Sequence, residues 1–491
     1  MRQHRNRSIA VAILSIGALV TPFVVFAQQQ AGAPAGASAA RMEVTTGSET
    51  ARSEFRQAVF NLHQINYAAV REHAKKALAS DPNLGVAMVI LARPVVSPQI
   101  TAAERDAWMT RGMAEAAKAS APEILYALYT RETVAGRTQA AQQTLRALAA
   151  LTSDDPDIQF QLHVVQRNAA ATPADALRID KEFLTRFPDY GPALNLNAYT
   201  RFATGDRAGA YDAVAQYARV NPEQPNAHDT WADILIMDGK LAEAMTHAQA
   251  SMDLDSAWAP AAQLKMGAIK LLTGTPDEAR RLFAKARDIA NAAAIRIDAR
   301  YWTATSHVMA HDATAAMREF EAIDTEVAGA NLPAAAAATV QQRIAVLEAL
   351  LGNTPNATAR LAKSADLVGA SAGGHVAHAA LVYAALGDAA AAQANADIFA
   401  KAFPANSFRH TLNALAAVTA RNFTDAEAAL RQGAPNDLLV QELRAEIQKQ
   451  HGNTAVALTT REEVLKRVPK ADGAQGVDVV KLVARFRAGT I

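Results

Sequence analysis

Thr204-Gly205-Asp206-Arg207-Ala208-Gly209-Ala210-Tyr211-Asp212-Ala213-Val214-Ala215-Gln216-Tyr217-Ala218-Arg219-Val220-Asn221-Pro222 is the stretch that decides the fold. Gly205 supplies a turn, because glycine takes the left-handed conformation that stops a helix at little steric cost. Ala210 follows five residues later, small enough to let a second helix cross the first closely. Tyr211, Val214, Tyr217 and Ala218 then recur at helical spacing and predict one buried stripe. Pro222 closes the second helix, since it cannot donate the backbone bond that would extend it.

The same pattern extends along most of the chain. Turn positions fall at Gly136, Ala171, Gly205, Gly239, Gly274, His311, Gly352, Gly387, Arg421 and Gly452, at spacings of 35, 34, 34, 35, 37, 41, 35, 34 and 31 residues. Five residues beyond each stands an alanine: Ala141, Ala176, Ala210, Ala244, Ala279, Ala316, Ala357, Ala392, Ala426 and Ala457. Seventeen beyond, Pro188, Pro222, Pro404 and Pro469 end four of the units. A period near 34 is that of a helical-hairpin solenoid. Composition agrees: the 491 residues are 50% hydrophobic but only 6% aromatic, and alanine, the strongest helix former, dominates runs such as 334–338. No run of alternating β-branched residues predicts a sheet.

Gly, Ala and Pro at these offsets resemble the tetratricopeptide repeat family, and an earlier unit around Ile65 fits in part through Tyr67, Ala77 and Pro82, with Val70 where alanine is expected. The resemblance implies an all-α, right-handed solenoid of about ten to twelve repeats. It also implies a binding activity, with partners held in a groove lined by residues 13, 10, 6 and 3 positions before each turn. Those offsets select Asn195, Tyr199 and Phe202, then Asn226, Asp229, Asp233 and Ile236, with Tyr126, Thr130 and Tyr301 in other units. Tyr199 and Phe202 are the expected anchors, since aromatic rings give large contact area at low entropic cost.

The ends differ from the repeats. Arg2, His4, Arg5 and Arg7 precede an apolar run from Ile9 to Val20, and Val25-Phe26-Ala27 offers small residues before a cut between Ala27 and Gln28. This predicts a cleaved secretory signal at 1–27. An N-terminal anchor is the alternative, as 9–27 approaches the ~20 residues that span a bilayer. Residues 28–48 read as a flexible Ala/Gly/Gln-rich leader, 49–475 as the solenoid with a joint near 326–338, and 476–491 as a capping helix. Residues 84–135 fit the repeat poorly, as Pro94 and Pro98 interrupt helical periodicity. The predicted location is the bacterial periplasm or outside the cell.

Composition narrows the chemistry. The chain has 49 basic and 48 acidic residues and no run of five like charges, so no nucleic-acid partner is expected. It has no cysteine, which removes thiol catalysis and cysteine zinc sites. His307 with His311, and His375 with His378, supply two ligands each where zinc needs three or four. Asp154 and Asp155 before Pro156 read as helix caps, and Asp253 with Asp255 as a helix end. Gly373-Gly374 read as a flexible turn. Phosphate loops, dinucleotide fingerprints and nucleophile elbows are absent from the sequence. The expectation is a non-catalytic scaffold without cofactor or metal. It would bind a protein or extended peptide, alternatively as an accessory subunit of an envelope assembly machine; an enzyme with an unrecognised site is the remaining alternative.

Overall fold

The computed structural model describes residues 41–471, apart from 171, 331, 405, 407 and 433–437. The signal cleavage site and the capping helix of the sequence reading lie outside these residues. The described chain is helical throughout, with no strand, and forms two compact units divided inside one helix at residues 234 and 235.

The first unit holds α1 (Glu49–His63), α2 (Tyr67–Ser80), α3 (Gly85–Leu91), α4 (Ala102–Ala116), α5 (Ala121–Val134) and α6 (Thr138–Leu151). It continues through α7 (Pro156–Asn168), α8 (Pro173–Arg186), α9 (Gly191–Ala203), α10 (Arg207–Val220) and most of α11 (Pro225–Met237). The second unit holds α12 (Leu241–Leu254), a 3₁₀ turn at Ser256–Trp258, α13 (Ala259–Leu272), α14 (Pro276–Ile289), α15 (Ala293–Met309) and α16 (Ala313–Gly329). There follow α17 (Ala334–Leu350), α18 (Thr354–Val368), α19 (Gly373–Ala385), α20 (Ala389–Ala402), α21 (Phe408–Thr419), α22 (Phe423–Leu430), α23 (Leu438–Gln450) and α24 (Thr454–Ala471).

Nine of the ten turn positions carry positive φ: 70° at Gly136, 55° at His311, 58° at Arg421 and 75–86° at the other six glycines. Ala171 lies outside the described residues. Ile65 has the same conformation, at 63°, which places the earlier unit in register. The ten alanines five residues on are all buried, as is Val70. In the Thr204–Pro222 stretch, Val214 and Tyr217 are fully buried and Tyr211 and Ala218 half-buried. A second column of small residues stands seven positions before the turn: Ala198, Ala232, Gly267, Ala304, Ala345, Ala380, Ala414 and Ala445, all buried. A Cβ on Gly267 would sit 2.7 Å from Cδ1 of Phe283 on the paired helix and closer still to Cε1, so this column sets how closely the two helices of a pair approach.

Left-handed backbone costs an L-residue roughly 1–2 kcal/mol, most where the side chain is β-branched. Ile65→Gly is therefore expected to stabilise the first unit by about 1 kcal/mol after the entropic cost of glycine, measured by equilibrium denaturation.

Three expectations need correction, and a fourth is made specific. The leader is not flexible to residue 48: Met42 and Val44 are buried, because the chain from 42 to 46 lies extended against the first unit. Gly373-Gly374 open α19 rather than forming a loop, and Gly373 packs closely on a ring, as a Cβ there would lie 2.5 Å from Cζ of Phe403. The extra residues near 326–338, read as a joint, are taken up in longer helices, with α15, α16 and α17 each running 17 residues. Pro469 does not end its unit, for α24 runs past it to Ala471. In the region that fitted poorly, the seven-residue α3 is followed by turns through Pro94 and Pro98 before α4 begins. Asp155 caps α7 as expected, accepting from the N–H groups of Asp157 and Ile158.

Candidate functional site

The predicted groove positions are largely covered. Tyr126 is 0% exposed, and the Phe55 ring of α1 meets it edge-on at 5.8 Å. The same helix carries Phe60, edge-on to Tyr190 at 6.3 Å, and His63, 5.1 Å from the Phe160 ring. His63 Nδ1 lies 2.7 Å from the Tyr190 hydroxyl, which donates to Asp157 at 2.6 Å; burial, then Asp157, pushes that phenol well above its usual pKa. Just beyond α1, Gln64 accepts from the Tyr217 hydroxyl. Helix α1 thus lies across residues of α5, α7, α10 and the start of α9, and removes Tyr126 from the candidate contacts. Sequence reasoning missed this because no local signal tells a helix which distant pair it will meet.

Tyr301 is also buried, beneath the Arg343 guanidinium 3.8 Å above its ring, with Arg343 bonded to Asp298 at 2.7 Å. At this offset the side chain joins successive first helices, α15 and α17, in place of facing a partner. Asn195, Asp229 and Asp233 are buried as well: Thr230 donates to Asn195 at 3.0 Å, and the Tyr199 hydroxyl donates to Asp233 at 2.8 Å. Burial, then Asp233 and Asp229, raises the Tyr199 phenol well above its ordinary pKa. Of the predicted anchors, Tyr199 and Phe202 keep part of their surface exposed on α9, Tyr199 with its hydroxyl buried against Asp233 and Phe202 with the Arg207 guanidinium 5.7 Å over its ring.

The histidine pairs serve the helices. His375 Nδ1 lies 3.2 Å from the Ser364 hydroxyl, and His378 donates from Nδ1 to the Gly374 carbonyl at 2.7 Å. His311 forms a turn, and His307 lies 3.9 Å from Asp312.

An open cleft of about 880 Å³ lies elsewhere, in the second unit over α21 between α20 and α22. Seven alanines line it, Ala389, Ala390, Ala416, Ala417, Ala420, Ala428 and Ala429. Methyl groups are too short to close the space between the helices. The polar lining is Gln393, His410, Asn413, Asn422, Asp425 and Gln432. Gln393 donates to Asn413 at 3.3 Å, and Asn422 donates to Asp425 at 2.6 Å. Burial, then Arg409, lowers the His410 pKa, so its imidazole is neutral and offers one donor and one acceptor near neutral pH. Primary amides, a neutral imidazole and one carboxylate around an apolar floor suit the N–H and C=O groups of a peptide. The offsets of these residues differ from the groove offsets, which is why the sequence did not single them out.

Among the described residues no helix is long and apolar enough to cross a membrane. No protein-family model and no curated protein matches the chain. Several solved structures match the chain in part. Yeast Tom70 is 13% identical over 86% of this chain and 90% of that one, with a TM-score of 0.46. A tetratricopeptide repeat protein from Parabacteroides merdae ATCC 43184 is 12% identical over 60% and 98%, at 0.31. Naa15/Naa10 bound to HypK-THB is 13% identical over 85% and 75%, at 0.26. On its own geometry, with paired helices, left-handed turn residues and two buried columns of small residues, the chain is a tetratricopeptide-like helical-repeat protein.

Proposed function

We propose that the chain is a non-catalytic scaffold of the bacterial periplasm or cell envelope that holds a protein or an extended peptide. The cleft over α21 is the observation that carries the reading. It is open, apolar at its base and rimmed by groups that pair with peptide N–H and C=O groups. The helices around it are fixed by the small-residue columns, so a partner meets a preorganised surface and little ordering cost is left to binding. The basic start, the apolar run and Val25-Phe26-Ala27 support export with cleavage after Ala27.

Photo-crosslinking residues at positions 393 and 413 of the exported protein are expected to capture one dominant protein, absent when the probe stands at exposed Lys285 on α14. Probes at Tyr199 and Phe202 test the half-exposed patch of α9 in the same cells. Capture at 199 and 202 but not at 393 and 413 would move the site to the first unit. Capture nowhere above the Lys285 control would end the scaffold reading. Cleavage is checked by the mass of the exported chain, expected to begin at Gln28.

A further inference from the structure

Residues 42–46 are held as a peptide ligand is held. Met42 and Val44 are buried, at 5% and 1% exposure, while Arg41, Glu43 and Thr45 are exposed. This is the period of two of an extended chain, with alternate side chains turned inward. The backbone is gripped by side chains and not by a neighbouring strand. The Met42 N–H donates to Asp155 Oδ2 at 3.0 Å and the Thr45 N–H to Glu123 Oε1 at 3.1 Å. On the acceptor side, Arg52 donates from Nη2 to the Thr46 carbonyl at 2.8 Å and from Nε to the Val44 carbonyl at 3.5 Å, and the Ser120 hydroxyl donates to the Glu43 carbonyl at 3.4 Å. The hydroxyls of Thr45 and Thr46 donate to Glu123 at 2.5 Å and Asp81 at 2.6 Å.

The receiving groups are fixed by other duties. Glu123 closes the capping box of α5 with Ser120, and Asp155 caps α7. Each carboxylate is therefore in place whether or not the segment is bound. Gly47 follows at a bend, where a Cβ would meet nothing within 4 Å, so the link to α1 is open. Most of the grip falls on backbone groups common to any peptide; selectivity is left to the two inward side chains and the threonine hydroxyls.

We propose that the N-terminal ends of α5 and α7, with Arg52 and Ser120, form a binding site for an extended peptide with apolar residues at alternate positions. Residues 42–46 are its resident ligand, a strap that leaves and returns while the helices stay folded. The site is separate from the cleft over α21 and does not depend on it. A tethered ligand sits at an effective concentration on the order of millimolar, so a peptide in trans gains access chiefly when the strap is cut loose.

The test is made on the full chain carrying a site-specific protease sequence at position 47, cut after folding. A fluorescent peptide of residues 41–47 is expected to bind the cut protein saturably. Binding to the uncut protein should be at least tenfold weaker, and a Val44→Asp peptide should not bind. Loss of helical circular dichroism on cutting, or a folded cut protein that binds neither peptide or both alike, overturns the proposal. Hydrogen exchange on the uncut wild-type chain gives a second reading. The Met42 and Thr45 amides should be protected, yet exchange at least tenfold faster than those of Phe55 to Val59. Exchange at the free-peptide rate, or at the same rate as α1, overturns it as well.

Discussion

Arg360→Met is expected to destabilise the second unit by about 3–4 kcal/mol, the cost of breaking a buried ion pair by removing one partner. Arg360, on α18, donates to both carboxylate oxygens of Asp324 at 3.1 and 3.0 Å, to Gln341 at 3.0 Å and to Glu348 at 3.3 Å. It thereby ties α18 to α16 and α17. Glu348 is 0% exposed, and after the substitution its carboxylate retains the Asn353 amide, at 2.7 Å, without the cation. Methionine keeps a stem of similar length beside Phe320, so the loss measured is chiefly that of charge.

The pH dependence has a definite sign. Burial holds the Glu348 carboxyl above the usual glutamate value even with Arg360 present. For an acid with a raised folded pKa, the penalty of ionisation exists above that pKa and vanishes as the group protonates. At Asp324 burial acts upward, but the Arg360 and Gln341 bonds outweigh it and hold the carboxyl below the usual aspartate value. That stabilisation is present above the unfolded pKa and is lost as pH falls through the folded one. The Glu348 effect makes the Arg360→Met loss largest at neutral pH and smaller near about pH 4, and the Asp324 effect lowers it further below that pH. Adding Glu348→Gln should recover part of it, with a coupling of about 1–3 kcal/mol in a denaturant double-mutant cycle. A loss below about 1 kcal/mol, unchanged between the two pH values, would show that the network acts as an exposed pair does.

The repeat was legible because its parts are local. A turn residue must take positive φ, and the residue at a close helix crossing must be small, whatever lies elsewhere; Gly205 and Ala210 therefore announce themselves. The column from Ala198 to Ala445 obeys the same period and was equally readable. It went unread because alanine is so common in this chain that a second alanine column does not stand out. The strap left a fainter signal, Met42 and Val44 alternating with polar residues beyond a low-complexity stretch. What could not be read is which faces meet across repeats. Tyr126 and Tyr301 carry the same offset as residues expected in an open groove, but Phe55 of α1 covers the first and Arg343 of α17 the second. Those contacts join residues 71 and 42 positions apart in the chain. The cleft over α21 escaped for a related reason, since an alanine on an amphipathic helix does not reveal whether its space is filled by a neighbour.

Gly85→Ala is expected to cost about 3 kcal/mol or more, at the upper end for a single methyl forced into a packed site. Gly373→Ala, which adds the same methyl, should cost nearer 1 kcal/mol. The difference lies in what the methyl meets. At Gly85, the first residue of α3, it would stand 2.5 Å from the Ala116 nitrogen and 2.6 Å from the Gly112 carbonyl oxygen, both backbone atoms of α4. Backbone cannot rotate away, so α3 and α4 must separate. Gly112 shows how little room there is, since a Cβ on it would meet Val89 and Met88 in return. α3 has only seven residues, all buried, and the contact cannot be shared along a longer helix. At Gly373 the obstacle is the Phe403 ring, which can tilt within its cluster with Phe399 and Phe408. Denaturant unfolding of the two variants separates the cases. Gly85→Ala should lower the midpoint of the first unit, and Gly373→Ala should shift the second slightly. Equal costs at the two sites would mean that α3 can slide on α4 as freely as a phenyl ring turns, and that the close approach at Gly85 does not hold the first unit together.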